Sequence, residues 1–217
     1  MIKKLAFILF VGMMFTSCGM LKSYIADYDV SLASVESPAD AKAQFGETKV
    51  ATFQDGEINK YRYEDDYIDI VWYVSPKQFN FTLTNKSDHT IKINWDDISY
   101  VDYDGRTGRV MHSGVKYTDR NNSQPASTIP KGASLNDILL PTDNVSFSSG
   151  QYGGWNESRL IPSYYSTPEA FADGAGKYVG KTMRILMPIL IENVQNDYTF
   201  EFTINRLLNP ELGVSKK

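Results

Sequence analysis

Cysteine is nearly absent: Cys18 is the only one in 217 residues. A lone cysteine excludes an internal disulfide and any multi-thiolate metal site. Histidine is almost as scarce, with His89 and His112 far apart in the chain. Two isolated histidines make no zinc ligand set, so both read as solvated residues of turns or strand ends. Positive charge is also short, with 22 Lys and Arg against 26 Asp and Glu and a net charge of −4. Nucleic acid recognition needs basic patches, and this balance argues against that partner. A nucleophile elbow, a phosphate-binding glycine loop and a metalloprotease helix are all missing. The expectation is a protein without metal or cofactor, and not an enzyme.

Long apolar runs are missing too. The longest, Leu5 to Phe15, follows Lys3 and Lys4. It is too short for a stable spanning helix, which needs roughly twenty apolar residues. Behind it comes Phe15-Thr16-Ser17-Cys18-Gly19. This stretch resembles the signal peptide and lipobox of bacterial lipoproteins, with Phe15 where Leu is usual. The resemblance implies cleavage before Cys18 and acylation of that residue, with 1–17 as signal peptide. Acylation would also consume a thiol that is otherwise a liability outside the cytosol. Without Lys3 and Lys4, 20 basic residues face 26 acidic ones and the net charge is −6. Gly19-Met20-Leu21-Lys22 follows the cysteine, with none of the acidic residues that accompany surface export in some lipoproteins. The resemblance therefore implies a Gram-negative cell-envelope protein, held by lipid on the outer membrane and facing the periplasm.

Residues 18–36 read as a lipidated tether, and residues 37–207 as a single domain. Ser37-Pro38 and Gly46 punctuate a short helix, as cap, first turn and left-handed stop. The clearest strands lie in 78–105. Phe79, Phe81 and Leu83 alternate with Asn80, Thr82 and Thr84, and Ile91, Ile93 and Trp95 alternate with Lys92 and Asn94. Period-two alternation buries one face, so these six apolar residues are expected core. Asn85-Lys86-Ser87-Asp88 between them is turn chemistry. Further strands are expected at 49–53, 57–63, 67–74, 98–103, 133–140, 184–192 and 198–204. Glu64-Asp65-Asp66 reads as a solvated turn and Asp102 to Gly105 as a hairpin turn. Pro188 demotes its position to an edge or bulge. Residues 113–132 read as loop and 208–217 as a polar tail. About nine strands with hairpin spacing and few helices predict an all-β fold. An antiparallel immunoglobulin-like β-sandwich is the expected form, with a barrel as competitor.

The glycine- and aromatic-rich insertion at 142–181, with a short helix from Thr167, is the functional candidate. Tyr152, Trp155, Asn156, Arg159, Tyr164 and Tyr165 form the expected binding surface. Aromatic faces beside Asn and Arg suit a sugar ring or a protein partner. The competing reading is that these rings close one end of the core. Two functions follow: a lipid-anchored, non-enzymatic binding or structural module with a protein or glycan partner, or an enzyme acting on envelope glycan. For the second, Glu157, Glu169 and Asp173 are the acids of the insertion, and no spacing pairs them.

Overall fold

A computed structural model describes residues 23–36, 49–56 and 58–213. The signal segment, Cys18 and the helix expected at 37–46 lie outside them. Among the described residues are sixteen strands and one α-helix. The first six strands are β1 (Tyr24–Ile25), β2 (Tyr28–Glu36), β3 (Lys49–Asp55), β4 (Ile58–Glu64), β5 (Ile68–Val74) and β6 (Phe79–Asn85). Next come β7 (Ile91–Ile93), β8 (Ser99–Val101), β9 (Thr107–Met111), β10 (Ser127–Ile129) and β11 (Ser134–Pro141). The insertion holds β12 (Val145–Ser148), β13 (Gly154–Glu157), β14 (Tyr164–Tyr165) and α1 (Pro168–Ala175). The chain closes with β15 (Thr182–Ile191) and β16 (Val194–Leu207).

The fold is all-β. Twelve of the strands form one antiparallel sheet, curled into a half-barrel. Strands β3, β4, β5 and β6 pair in sequence, and β11 continues them. Ser134–Leu139 of β11 pairs with β6, while Leu140 and Pro141 pair with β9. That change of partner carries the ladder without a break to β8, β15, β16 and β2. β7 pairs β15 on one side and β10 on the other.

The period-two stretch sits where its pattern demands. Phe79, Phe81, Leu83, Ile91, Ile93 and Trp95 are all buried. Across the core, Trp72 of β5 meets Phe200 at 5.0 Å and Phe202 at 5.5 Å, ring centroid to centroid. Burial of each such side chain contributes about 1.5–3 kcal/mol. The turn after β6 is fastened by Asn85, which is itself buried. Its Nδ2 donates to the carbonyls of His89 at 2.6 Å and Ile129 at 2.9 Å. Its Oδ1 accepts from the Ser87 N–H and hydroxyl.

Several expectations are revised. Residues 24–25 and 28–36, read as tether, are strands. β2 pairs with β16 from Tyr28↔Leu207 to Glu36↔Thr199, with two register irregularities. One of them leaves Ala33 of β2 without an opposite residue, which breaks the alternation that would have marked β2 as a strand. The end of the chain also packs: Leu212 lies against the satellite core of Ala26, Phe171 and Ala175. Within the 113–132 loop, β10 pairs with β7 and residues Tyr117–Asp119 form a 3-10 turn. Asp65 is not solvated but 2% exposed. Pro188 lies in register with Asp197 inside β15, yet between the residues paired to β8 (184–186) and those paired to β7 (189–191). A missing N–H on that flank costs no ladder bond.

Candidate functional site

After Pro141 the chain leaves the sheet and returns as the β12–β13 hairpin. Glycine permits its turn: a Cβ on Gly153 would stand 2.3 Å from the Ser148 carbonyl oxygen. Pairing sets Phe147 opposite Trp155 and Val145 opposite Glu157. Val145 is buried and anchors the hairpin, but the rings beyond it are not. Phe147 is 62% exposed, Trp155 38% and Tyr152, in the turn, 95%. Phe147 and Trp155 meet edge-on at 5.3 Å, and Tyr117 meets Trp155 at 5.7 Å. The Arg120 guanidinium lies 5.2 Å from the Trp155 ring and donates to the Tyr117 carbonyl. The Tyr117 hydroxyl donates to Glu157, and Lys77 is 3.3 Å from the same carboxylate. The Tyr117 hydrogen bond, with Lys77 beside it, holds Glu157 below the usual carboxylate range.

From the hairpin the chain runs as an irregular strap over 158–163. Ser158 N–H donates to the Asn144 carbonyl, Leu160 N–H to that of Pro76, and the Ser163 carbonyl accepts from Ala26 N–H. Arg159 donates through Nη1 to the Ala26 carbonyl at 3.0 Å and to Asp27 at 2.8 Å. Two cavities border this strap. One, of about 270 Å³, is largely apolar and lined by Val30, Val74, Leu160, Ile161 and Met183 among others. The other, of about 450 Å³, is mixed: Tyr103, Tyr164, Asp102, Asp143, Arg106 and Arg159 are among its lining residues.

The expected binding residues are thus divided. Tyr152, Trp155 and Asn156 belong to the hairpin, where Asn156 Nδ2 donates to the Ser148 hydroxyl. Arg159 and Tyr164 line the mixed cavity, with the guanidinium 5.6 Å from the Tyr164 ring centroid. Tyr165 turns the other way, edge-on to Phe171 at 5.6 Å, and lies so close over Gly174 that a Cβ there would be 2.5 Å from the ring. Sequence reasoning missed Tyr117 and Arg120, because 113–132 shows no period and its meeting with Trp155 is long-range. It also missed Tyr103 and Asp143, which reach the cavity only through the β8–β9 turn and the 3-10 turn after β11.

The acids of the enzyme reading are apart in role. Glu157 is engaged as described, and Glu169 and Asp173 are exposed on α1. Asp102 closes the β8–β9 turn by accepting from the N–H groups of Asp104 and Arg106. The histidines have more structure than the sequence implies. His112 stacks on Trp95 at 4.1 Å, and its Nδ1 lies 3.2 Å from Asp137. His89 lies 2.8 Å from Glu192. Among the described residues no helix is long and apolar enough to cross a membrane.

No family model and no curated protein matches the chain. A solved structure titled "X-ray structure of Northeast Structural Genomics Consortium target SoR45" aligns with 81% of this chain and 88% of that one. Its identity is 13% and its TM-score 0.26, values at which no argument passes from one to the other.

Proposed function

We propose that this chain is a lipid-anchored lipoprotein of the Gram-negative cell envelope. It acts as a non-enzymatic binding module and holds a protein partner on the β12–β13 hairpin. Acylated Cys18 fixes it to the outer membrane on the periplasmic side. The two arms of the curled sheet pack across one core, and we read the architecture as an immunoglobulin-like sandwich joined through β11.

The observation that carries the reading is the exposure of three large rings on one short hairpin, with Tyr152 at 95% and Phe147 at 62%. Contiguous exposed apolar surface marks an interaction site more often than a single exposed residue does. Trp, Tyr and Arg supply most of the energy of protein interfaces, and here Trp155 lies between Tyr117 and Arg120. An enzyme on glycan would need two unengaged carboxylates across a groove. Glu157 is committed to Tyr117 and Lys77, which favours the binding reading.

The test places a photoreactive residue at Tyr152 in the full chain in intact envelopes. A discrete protein adduct is expected, lost when Phe147→Ser and Trp155→Ala are combined. Absence of an adduct, or its survival in the double variant, overturns the reading.

A further inference from the structure

The mixed cavity beside the 158–163 strap has no part in the hairpin, whose Phe147, Tyr152 and Trp155 are absent from its lining. Its volume of about 450 Å³ falls within the roughly 300–1,000 Å³ typical of small-molecule sites. Two of its walls are tyrosine rings held in place without being buried. Tyr164 is 63% exposed, yet the Arg159 guanidinium lies against its ring and is itself fixed by Asp27 and the Ala26 carbonyl. Tyr103 has the Lys181 ammonium 5.6 Å from its centroid, and Lys181 is fixed by Asp104 at 2.7 Å. A braced ring offers a face at small entropic cost.

Between the rings stand hydrogen-bonding groups. Asp143 is exposed and, among the described residues, accepts no hydrogen bond from the protein. Asn144 and Ser158 line the cavity beside it. The formal charge of the lining balances, with Asp102 and Asp143 against Arg106 and Arg159. An anion would meet two carboxylates and a cation two guanidiniums. A ligand that donates hydroxyl groups to a free carboxylate and lays C–H faces on tyrosine rings meets neither penalty.

We propose that this cavity binds a neutral mono- or disaccharide. Tyr164 and Tyr103 stack on its rings and Asp143 accepts its hydroxyl groups. The site stands apart from the protein-binding hairpin.

The test is saturation-transfer NMR on the full chain in a polyoxyethylene detergent, which carries no sugar. The probes are glucose, N-acetylglucosamine and maltose, with glucose 6-phosphate and glucosamine as charged counterparts. A neutral probe is expected to bind with a Kd of about 1 mM or tighter. Tyr164→Ala and Asp143→Ala should each weaken it by about tenfold, with unchanged circular dichroism, while Trp155→Ala leaves it intact. Binding of none of the neutral probes overturns the proposal. So does loss with Trp155→Ala and retention with Tyr164→Ala, which would move sugar binding to the hairpin, and so does stronger binding of a charged counterpart.

Discussion

The Tyr198 hydroxyl donates to Asp65 Oδ2 at 2.9 Å, joining the β4–β5 turn to the middle of β16 across 133 residues of chain. The Tyr63 hydroxyl donates to the same oxygen at 3.2 Å. Oδ1 accepts from the N–H groups of Tyr67 and Ile68, at 2.8 and 2.7 Å. A buried carboxylate thus organises both a turn and the contact between two arms of the sheet. Removing it takes the acceptor from four donors, each costing about 1–3 kcal/mol where it is left buried and unpaired. Asp65→Ala should therefore destabilise by about 3–5 kcal/mol in denaturant unfolding. Asp65→Asn should cost far less, because a tyrosine hydroxyl can accept from the new amide as readily as it donates.

The same carboxyl sets a pH signature. Burial pushes Asp65 above the usual carboxylate range, against the pull of its four donors. With the folded value raised, the native state binds more protons than the unfolded one as pH rises out of the ordinary carboxylate range. The Asp65 contribution to stability then falls until pH passes its folded value. Asp65→Asn removes this term, so it should gain on the wild type as pH rises over that window. Paired unfolding curves at pH 4 to 8 measure the difference, and a gap independent of pH would contradict the assignment.

Glu157 behaves with the opposite sign. Its carboxyl is held below the usual range by the Tyr117 hydrogen bond and by Lys77. Its stabilisation of the hairpin is present above the unfolded value and is lost as pH falls through the folded one. Glu157→Ala should loosen Tyr117 from Trp155, and acidification of the wild type should do the same. The readout is acrylamide quenching. Trp72 and Trp95 are buried, so any gain in quenching reports Trp155. Unchanged quenching in Glu157→Ala would show that Val145 and the β12–β13 pairing hold the hairpin without the carboxylate.

What the sequence shows and what it hides follow from the range of the interactions. Phe79, Phe81 and Leu83 announce β6 because alternation is local. Thr167 and Pro168 announce α1 for the same reason, and Thr167 Oγ1 does accept from the Ala170 N–H at 3.1 Å. β2 is silent because a bulge at Ala33 interrupts its period. Asp65 looks like any acidic turn residue, since its burial depends on Tyr198 far along the chain. The hairpin rings are recognisable as a candidate surface, but Tyr117 and Arg120 join them only through the fold.

β2 is integral to the domain, and a shortened chain tests this. Starting at residue 37 removes the strand that covers the outer edge of β16, together with buried Leu32. An uncovered edge strand is a template for aggregation. A chain starting at residue 23 should keep the thermal midpoint of the longer one. One starting at residue 37 should fail to give a cooperative melt by circular dichroism. Equal midpoints would mean that 23–36 is a tether after all.

Trp72 offers a sharper test of packing against hydrogen bonding. Its ring is fully buried, 5.2 Å from Phe81 and 5.0 Å from Phe200. Its Nε1–H has no acceptor among the described residues. Trp72→Ala should cost about 3–5 kcal/mol as a large-to-small core change. Trp72→Phe loses volume but also removes an orphan donor, whose burial costs about 1–3 kcal/mol. Its net cost should stay below about 2 kcal/mol. A Phe variant as damaging as Ala would mean that ring size alone governs the site.

Anchoring through Cys18 is decided by fractionation. Each acyl methylene buried in a bilayer contributes about 0.8 kcal/mol, so several chains on one residue hold a protein there essentially permanently. A net charge of −6 after loss of the signal offers no electrostatic attachment to anionic lipid. On the proposed lipoprotein reading, lipid on Cys18 would be the whole attachment. Cys18→Ala should move the protein from the membrane pellet to the soluble fraction if the signal is still cut, and should abolish incorporation of labelled palmitate. If the variant is cleaved to mature size and still sediments with membranes after a high-salt wash, the anchor lies elsewhere. If it stays uncleaved and membrane-bound, Leu5–Phe15 is holding the precursor. Mass spectrometry of the wild-type N-terminus then separates an acylated cysteine from a retained signal.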